Sequence, residues 1–222
     1  MHTMSIKKCF VEWWMLLLLL VLTSYASVSD DQILNFYCSR ADETFKSRDP
    51  LDGGVSFSWE AKSYYKLMER KGKVRLVDSA ITEYFYSFGN VDSIKKIIPF
   101  HKEHFKIDFS YPNVFKGDYH FNFFPNDTGG KEIAIGFDTD STDQKDPLGL
   151  AIIDRDKYYL KWLYLYYPHK KGYKRYTRSF RFTEYQGYIF PDSIWEIKGH
   201  LSIFTMEWYR IETGISKIKI YR

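Results

Sequence analysis

The residues best suited to chemistry lie in a few short stretches. In "HKEHF", His101 and His104 are three apart, so a helix would bring both imidazoles to one face, with Asp108 next in line as a third ligand. The order is His-Lys-Glu-His, whereas a zinc protease helix reads His-Glu-x-x-His, with its general base between the ligands. "GFDTDSTDQKDP" gathers Asp138, Asp140, Asp143 and Asp146, an oxygen-rich loop of the kind that suits Ca²⁺. Counted as an EF-hand loop from Asp138, however, the fifth, sixth and twelfth positions hold Thr142, Asp143 and Gly149. A solvated acidic turn is the expectation. No Gly-x-Ser-x-Gly elbow occurs, and neither cysteine is placed as a nucleophile. The sequence therefore predicts no catalytic residue, no metal and no cofactor.

Binding is the remaining chemistry. "KYYLKWLYLYYPHKKGYKRYTRSFRF" (157–182) opens with ten residues, Tyr158 to Tyr167, of which only Lys161 is charged. A strand with one wet face should alternate, and this one hardly does. Tyr158, Trp162, Tyr164, Phe180, Phe182, Trp195, Phe204, Met206 and Trp208 form the candidate ligand-binding set, lining an apolar cavity if one exists. A tightly packed β core would use the same residues. "PHKKGYKRYTRSFR" adds Lys170, Lys171, Lys174 and Arg175, a candidate docking patch for membrane headgroups or an acidic partner. The alternative for these is a charged hairpin tip that keeps sheet edges soluble.

The destination narrows the partners. "MHTMSIKKCFVEWWMLLLLLVLTSYAS" has Lys7 and Lys8, an apolar run from Trp13 to Leu22, and small residues around Tyr25, the layout of a cleaved secretory signal over 1–26. The run is too short for the roughly 20 residues that span a bilayer. Residues 27–222 then form one domain of periplasmic or secreted destination, with Cys38 its sole cysteine and no internal disulfide. Without Lys7, Lys8 and Glu12 the balance is 30 basic to 27 acidic, too mild for a polyanion binder, and no nucleic acid partner is expected. Asn126-Asp127-Thr128 fits a glycosylation sequon, used only where the source glycosylates exported chains.

The elements that position these residues follow from periodicity. Ile33, Tyr37, Ala41 and Phe45, with Leu34 and Cys38 beside them, make one helical stripe that Asp49-Pro50 ends. Downstream, roughly ten strands with short turns are expected, an antiparallel sandwich or barrel. Residues 91–116 read as a short helix plus a crossing segment, a candidate lid. A sheet of that size curls, and curling around the one helix would make an incomplete barrel with an apolar concave face.

"GYIFPDSIWEIKGHLSIFTMEWYRIETGISKIKI" (187–220) resembles the ending of the LolA/LolB lipoprotein-carrier superfamily, through the Gly187, Pro191, Ile194 step and two closing strands. "DRDKYYLKWLYLYYP" resembles that family's paired strands. The resemblance implies a mainly β fold, an incomplete barrel wrapping an N-terminal helix. It also implies a non-enzymatic carrier or sensor that takes acyl chains of a lipid or lipoprotein into an apolar cavity. The alternative is an envelope scaffold or protein-interaction module whose core is filled. Cavity volume separates the two.

Overall fold

The computed structural model describes residues 30–52, 54–68, 73–101, 107–116, 119–123, 130–140, 143, 146–201 and 206–221. The expected signal segment, His104 and the Asn126 sequon lie outside them. The chain forms two compact units, Met1–Asn35 and Phe36–Arg222, and the sheet belongs to the second. Among the described residues no helix is long and apolar enough to cross a membrane.

The expected helix is α1, Asp30–Arg48. Asp30 and Asp31 lie in its first turn and Lys46 and Arg48 in its last, each favourable to the helix dipole. Cys38 and Ala41 of the predicted stripe are buried. Burial pushes the Cys38 thiol up to about 12, so it stays protonated and unreactive at neutral pH.

Ten strands follow: β1 Ser56–Met68, β2 Val74–Ser87, β3 Asn90–Ile98, β4 His120–Phe123, β5 Glu132–Asp138, β6 Leu148–Asp154, β7 Leu160–Tyr166, β8 Arg175–Tyr185, β9 Tyr188–Leu201 and β10 Met206–Tyr221. They make one unclosed antiparallel sheet in the order β3-β2-β1-β10-β9-β8-β7-β6-β5-β4. The mainly β class and the curled, unclosed sheet expected from the sequence are what the chain forms. One expectation needs correction: 91–98 is the edge strand β3, exposed along its length, and not a helix.

Two hairpins show how short loops set the register. Phe88 and Gly89 (φ 50° and 79°) join β2 to β3, and Gln186 and Gly187 (φ 50° and 88°) join β8 to β9. Positive φ at both central residues gives the turn twist that matches two antiparallel strands. Gly89 is further constrained, because a Cβ there would lie 2.0 Å from the Leu51 carbonyl oxygen. Pro191 faces Phe182 beside a register shift, where a missing N–H costs the ladder least. The Gly187–Pro191 step thus marks a tight turn followed by a bulged strand.

Along β1, Phe57, Trp59, Ala61, Ser63 and Tyr65 are buried at alternate positions, and Ser58 between the first two is buried as well. The register carries that inward face to Tyr86 on β2 and Thr213 on β10, and across the sheet to Ile194, Phe180 and Leu163. Ser63 Oγ and Thr213 Oγ1 on this face pair with one another at 3.0 Å.

Candidate functional site

The register divides six of the nine predicted cavity residues between the two faces of the sheet. On β7, Leu163 and Leu165 are fully buried, whereas Trp162 and Tyr164 are 37% and 39% exposed. Trp162 faces Arg181 and Tyr164 faces Ser179, which in turn faces Trp195, so these aromatics share the outward face. The Trp162 and Trp195 rings stack at 5.5 Å and 12°. Half-buried Trp208 belongs to the same face, its ring packed over Gly199. Phe180 and Phe182 point inward and are buried. Tyr158 sits in the β6–β7 turn at φ 58°, its ring 5.9 Å from Phe36 and 6.0 Å from Tyr37. Phe204 and the side chain of Met206 lie outside the described residues. The strand that looked doubly buried therefore does alternate. Its wet positions simply carry aromatic side chains.

The inward face is covered by the chain itself. Beyond the helix, residues 107–116, within the stretch expected to serve as a lid, run against the sheet. Phe109 packs on Trp59 at 5.4 Å and on Tyr84 at 4.7 Å. Tyr111 packs on Phe45, Phe180 and Phe182 at 5.8, 5.4 and 5.1 Å. Val114 and Phe115 are buried too. Hydrogen bonds pin this segment at both ends: Asn113 Nδ2 donates to Asp42 Oδ1 at 2.7 Å, and Arg178 Nη1 to the Ser110 carbonyl at 2.7 Å. Between helix and sheet lies an apolar recess walled by Phe45, Tyr111, Tyr159, Leu160, Phe182 and Ile189, with about 10 Å³ free. That is room for about one water.

At the edge of this recess stands Asp49, 5% exposed. Its Oδ1 accepts from the Leu51 N–H at 2.8 Å and from the Tyr111 hydroxyl at 3.1 Å. Burial outweighs both bonds and raises its carboxyl to about 6.

Of the predicted docking residues, the basic hairpin brings Lys170 to the wall of a second, larger recess of about 320 Å³. Lys171, Lys174 and Arg175 are exposed, whereas Lys170 is half-buried, with Nζ 5.4 Å from the Tyr176 ring centre and 5.9 Å from that of Tyr167. Arg178 and Glu196 are buried and face one another across β8 and β9. Arg178 belongs to the basic stretch read from the sequence, without being set apart there from its exposed neighbours. Its inward register position, between Tyr176 and Phe180, was the available signal.

Among the described residues no group of three or more His, Cys, Asp or Glu side chains could hold an ion. His101 Nδ1 instead meets the buried Asp78 carboxylate at 2.9 Å, and Asp138, Asp140 and Asp143 are exposed.

Comparison with solved structures finds this chain course elsewhere. A LolA superfamily protein of Nitrosomonas europaea aligns over 85% of this chain and 94% of its own, at 12% identity and a TM-score of 0.38. A lipoprotein-sorting protein domain of Vibrio parahaemolyticus, described as outer-membrane, aligns over 82% and 91%, at 15% identity and 0.44. The chain is similar to LolA-superfamily proteins. This is the likeness that residues 187–220 suggest from sequence. MucB, crystallised with MucA(peri), aligns over 85% of this chain and 99% of its own, at 9% identity and a TM-score of 0.28. No family model matches the chain, and no curated protein does. The LolA likeness is one of chain course, and it carries nothing about ligand or partner.

Proposed function

We propose that this chain is an exported, non-enzymatic interaction scaffold of LolA-like fold, acting in the periplasm or outside the cell after loss of residues 1–26. The space between its helix and its sheet is filled by its own side chains, and a protein partner meets the outward aromatic face around Trp162, Tyr164 and Trp195. One observation supports this most strongly: the recess between helix and sheet has about 10 Å³ free, against the roughly 300–1,000 Å³ of a small-molecule pocket.

The carrier reading has one observation in its favour, the apolar wall of that recess. Phe45, Leu160, Phe182 and Ile189 are the side chains an acyl chain would need. To admit one, Tyr111 and Phe45 would have to withdraw together, breaking the Tyr111–Asp49 hydrogen bond.

A fluorescent fatty-acid probe titrated into the mature chain separates the two. The scaffold reading expects no saturable uptake below about 100 μM. Stoichiometric micromolar uptake that Phe182→Arg abolishes in a still-folded protein would overturn it in favour of the carrier.

A further inference from the structure

The recess at the basic hairpin plays no part in the scaffold reading. Arg178, on its wall, is 3% exposed. Its Nη1 donates to the Ser110 carbonyl at 2.7 Å, and its Nη2 donates to the Asp108 carbonyl. Its Nε is buried and has no hydrogen-bond acceptor among the described residues. The only carboxylate that reaches the guanidinium among the described residues is that of Asp108, 3.3 Å away with its side chain 59% exposed. Charge-assisted bonds of this kind run about 2.7–2.9 Å, so the Arg178–Asp108 contact is long. The other Asp108 oxygen accepts from the Ser110 N–H at 2.9 Å and the Ser110 hydroxyl at 2.7 Å. Glu196, opposite Arg178, is committed elsewhere: it accepts from the Tyr176 hydroxyl at 2.5 Å and pairs with Lys198 at 3.1 Å.

Lys170 faces the same recess. Its ammonium rests over the Tyr167 and Tyr176 rings, with no carboxylate within ion-pair distance among the described residues. Two cations thus face one cavity of about 320 Å³ with a single carboxylate beside them, in long contact with Arg178 only. Burying charge with so little compensation is costly unless an anion completes the site. With Asp108 in place, two cations and one carboxylate leave a net charge of +1, which a monocarboxylate would balance. A phosphate monoester carries about −1.5 to −2 at pH 7 and balances both cations once it displaces the long Asp108 contact. The volume also exceeds that of bare phosphate and admits a ring or short chain beside the tyrosines.

We propose that this recess binds a phosphate monoester, on a soluble molecule or on a lipid headgroup. Arg178 and Lys170 are its charged contacts, and the Tyr167 and Tyr176 rings flank the group it carries. The ester displaces the long Asp108–Arg178 contact, and Asp108 keeps its two bonds from Ser110. Lys171, Lys174 and Arg175 raise the positive potential of the hairpin and speed capture. The site stands on other residues than the scaffold reading, so either can fail alone.

Calorimetry of the mature chain with phenyl phosphate, with benzoate as the monoanionic control, tests the assignment. Saturable binding of phenyl phosphate is expected, about tenfold or more weaker for benzoate and for Lys170→Ala. Arg178→Lys keeps the charge without the fork and should weaken binding as well. Asp108→Asn removes the competing carboxylate and should tighten binding several-fold, an effect that a purely structural Asp108 would not produce. No saturable heat up to about 10 mM phenyl phosphate, or an affinity unmoved by Lys170→Ala and Asp108→Asn, overturns the proposal.

Vesicles of phosphatidylcholine with phosphatidic acid, a monoester, or with phosphatidylglycerol, a diester, identify the source. Retention specific to phosphatidic acid and competed by phenyl phosphate assigns a lipid headgroup, and phenyl phosphate binding without retention assigns a soluble ester. Equal retention on both lipids, unaffected by Lys170→Ala and with no phenyl phosphate binding, is surface charge alone and overturns the site.

Discussion

Trp59→Ala is expected to remove about 3–5 kcal/mol of folding stability, the largest single loss in the chain. Trp59 is fully buried at the centre of the inward face. Its ring lies 5.1 Å from Phe57, 5.0 Å from Tyr86, 5.4 Å from Phe109 and 6.2 Å from Phe190. Truncation therefore loses contacts to two strands and to the 107–116 segment together, and aromatic pairs contribute beyond their buried area. In a domain of this size the loss lowers Tm by roughly 6–20 °C. The indole N–H has no hydrogen-bond partner among the described residues and pays its desolvation unrelieved. Trp59→Phe, which keeps most of the packing and deletes that N–H, should cost less than half as much. Urea unfolding of the three proteins gives both numbers. A loss below about 1 kcal/mol for the alanine variant would mean the inward face is loosely filled, contrary to its geometry.

Asp49 gives the second large effect, and its sign follows from the raised carboxyl. The unfolded chain titrates Asp49 near the ordinary aspartate value of 3.8, the folded chain at about 6. Below pH 3.8 both states hold the proton and the contribution to stability is complete. As pH rises through the folded value the contribution is lost, by roughly 3 kcal/mol in all at 1.36 kcal/mol per unit. Asp49→Asn cannot ionise, yet its amide oxygen can still accept from Leu51 N–H and the Tyr111 hydroxyl. The variant should be about 1–3 kcal/mol more stable than the parent at pH 7.5, with the difference shrinking toward pH 4. Unfolding free energies at pH 4, 5, 6 and 7.5 check this. Parallel pH profiles would show that Asp49 is not buried as described.

The comparison between sequence and structure turns on what hydrophobic pattern can report. The helix was legible because Cys38 and Ala41 stand on one stripe, and most strands because turn residues bracket them. Gly187 and Pro191 had a local meaning, a positive-φ turn and a bulge, that the sequence already carried. The face of each β7 residue was not legible. Trp162, Tyr164 and Tyr166 occupy the outward positions, where a polar residue would have declared the alternation. Strand β3 was hidden for a related reason: every residue in it is exposed, so "VDSIKKII" has no buried face to impose a period of two. The filling of the concave face by 107–116 depends on long-range packing of Phe109 and Tyr111, which no local pattern encodes. Arg178 belongs to the same class, since its role depends on the Ser110 and Asp108 carbonyls arriving from 68 and 70 residues away in sequence.

The central claim is that the concave face of this sheet is closed by the protein's own side chains. Native mass spectrometry of the mature chain purified from the cells that export it, followed by organic extraction and lipid analysis, tests it most directly. The expected result is the bare polypeptide mass with no acyl chain in the extract. A stoichiometric acyl adduct that survives gentle desolvation and appears in the extract would contradict it, and would make the protein a carrier whose interior opens to its cargo.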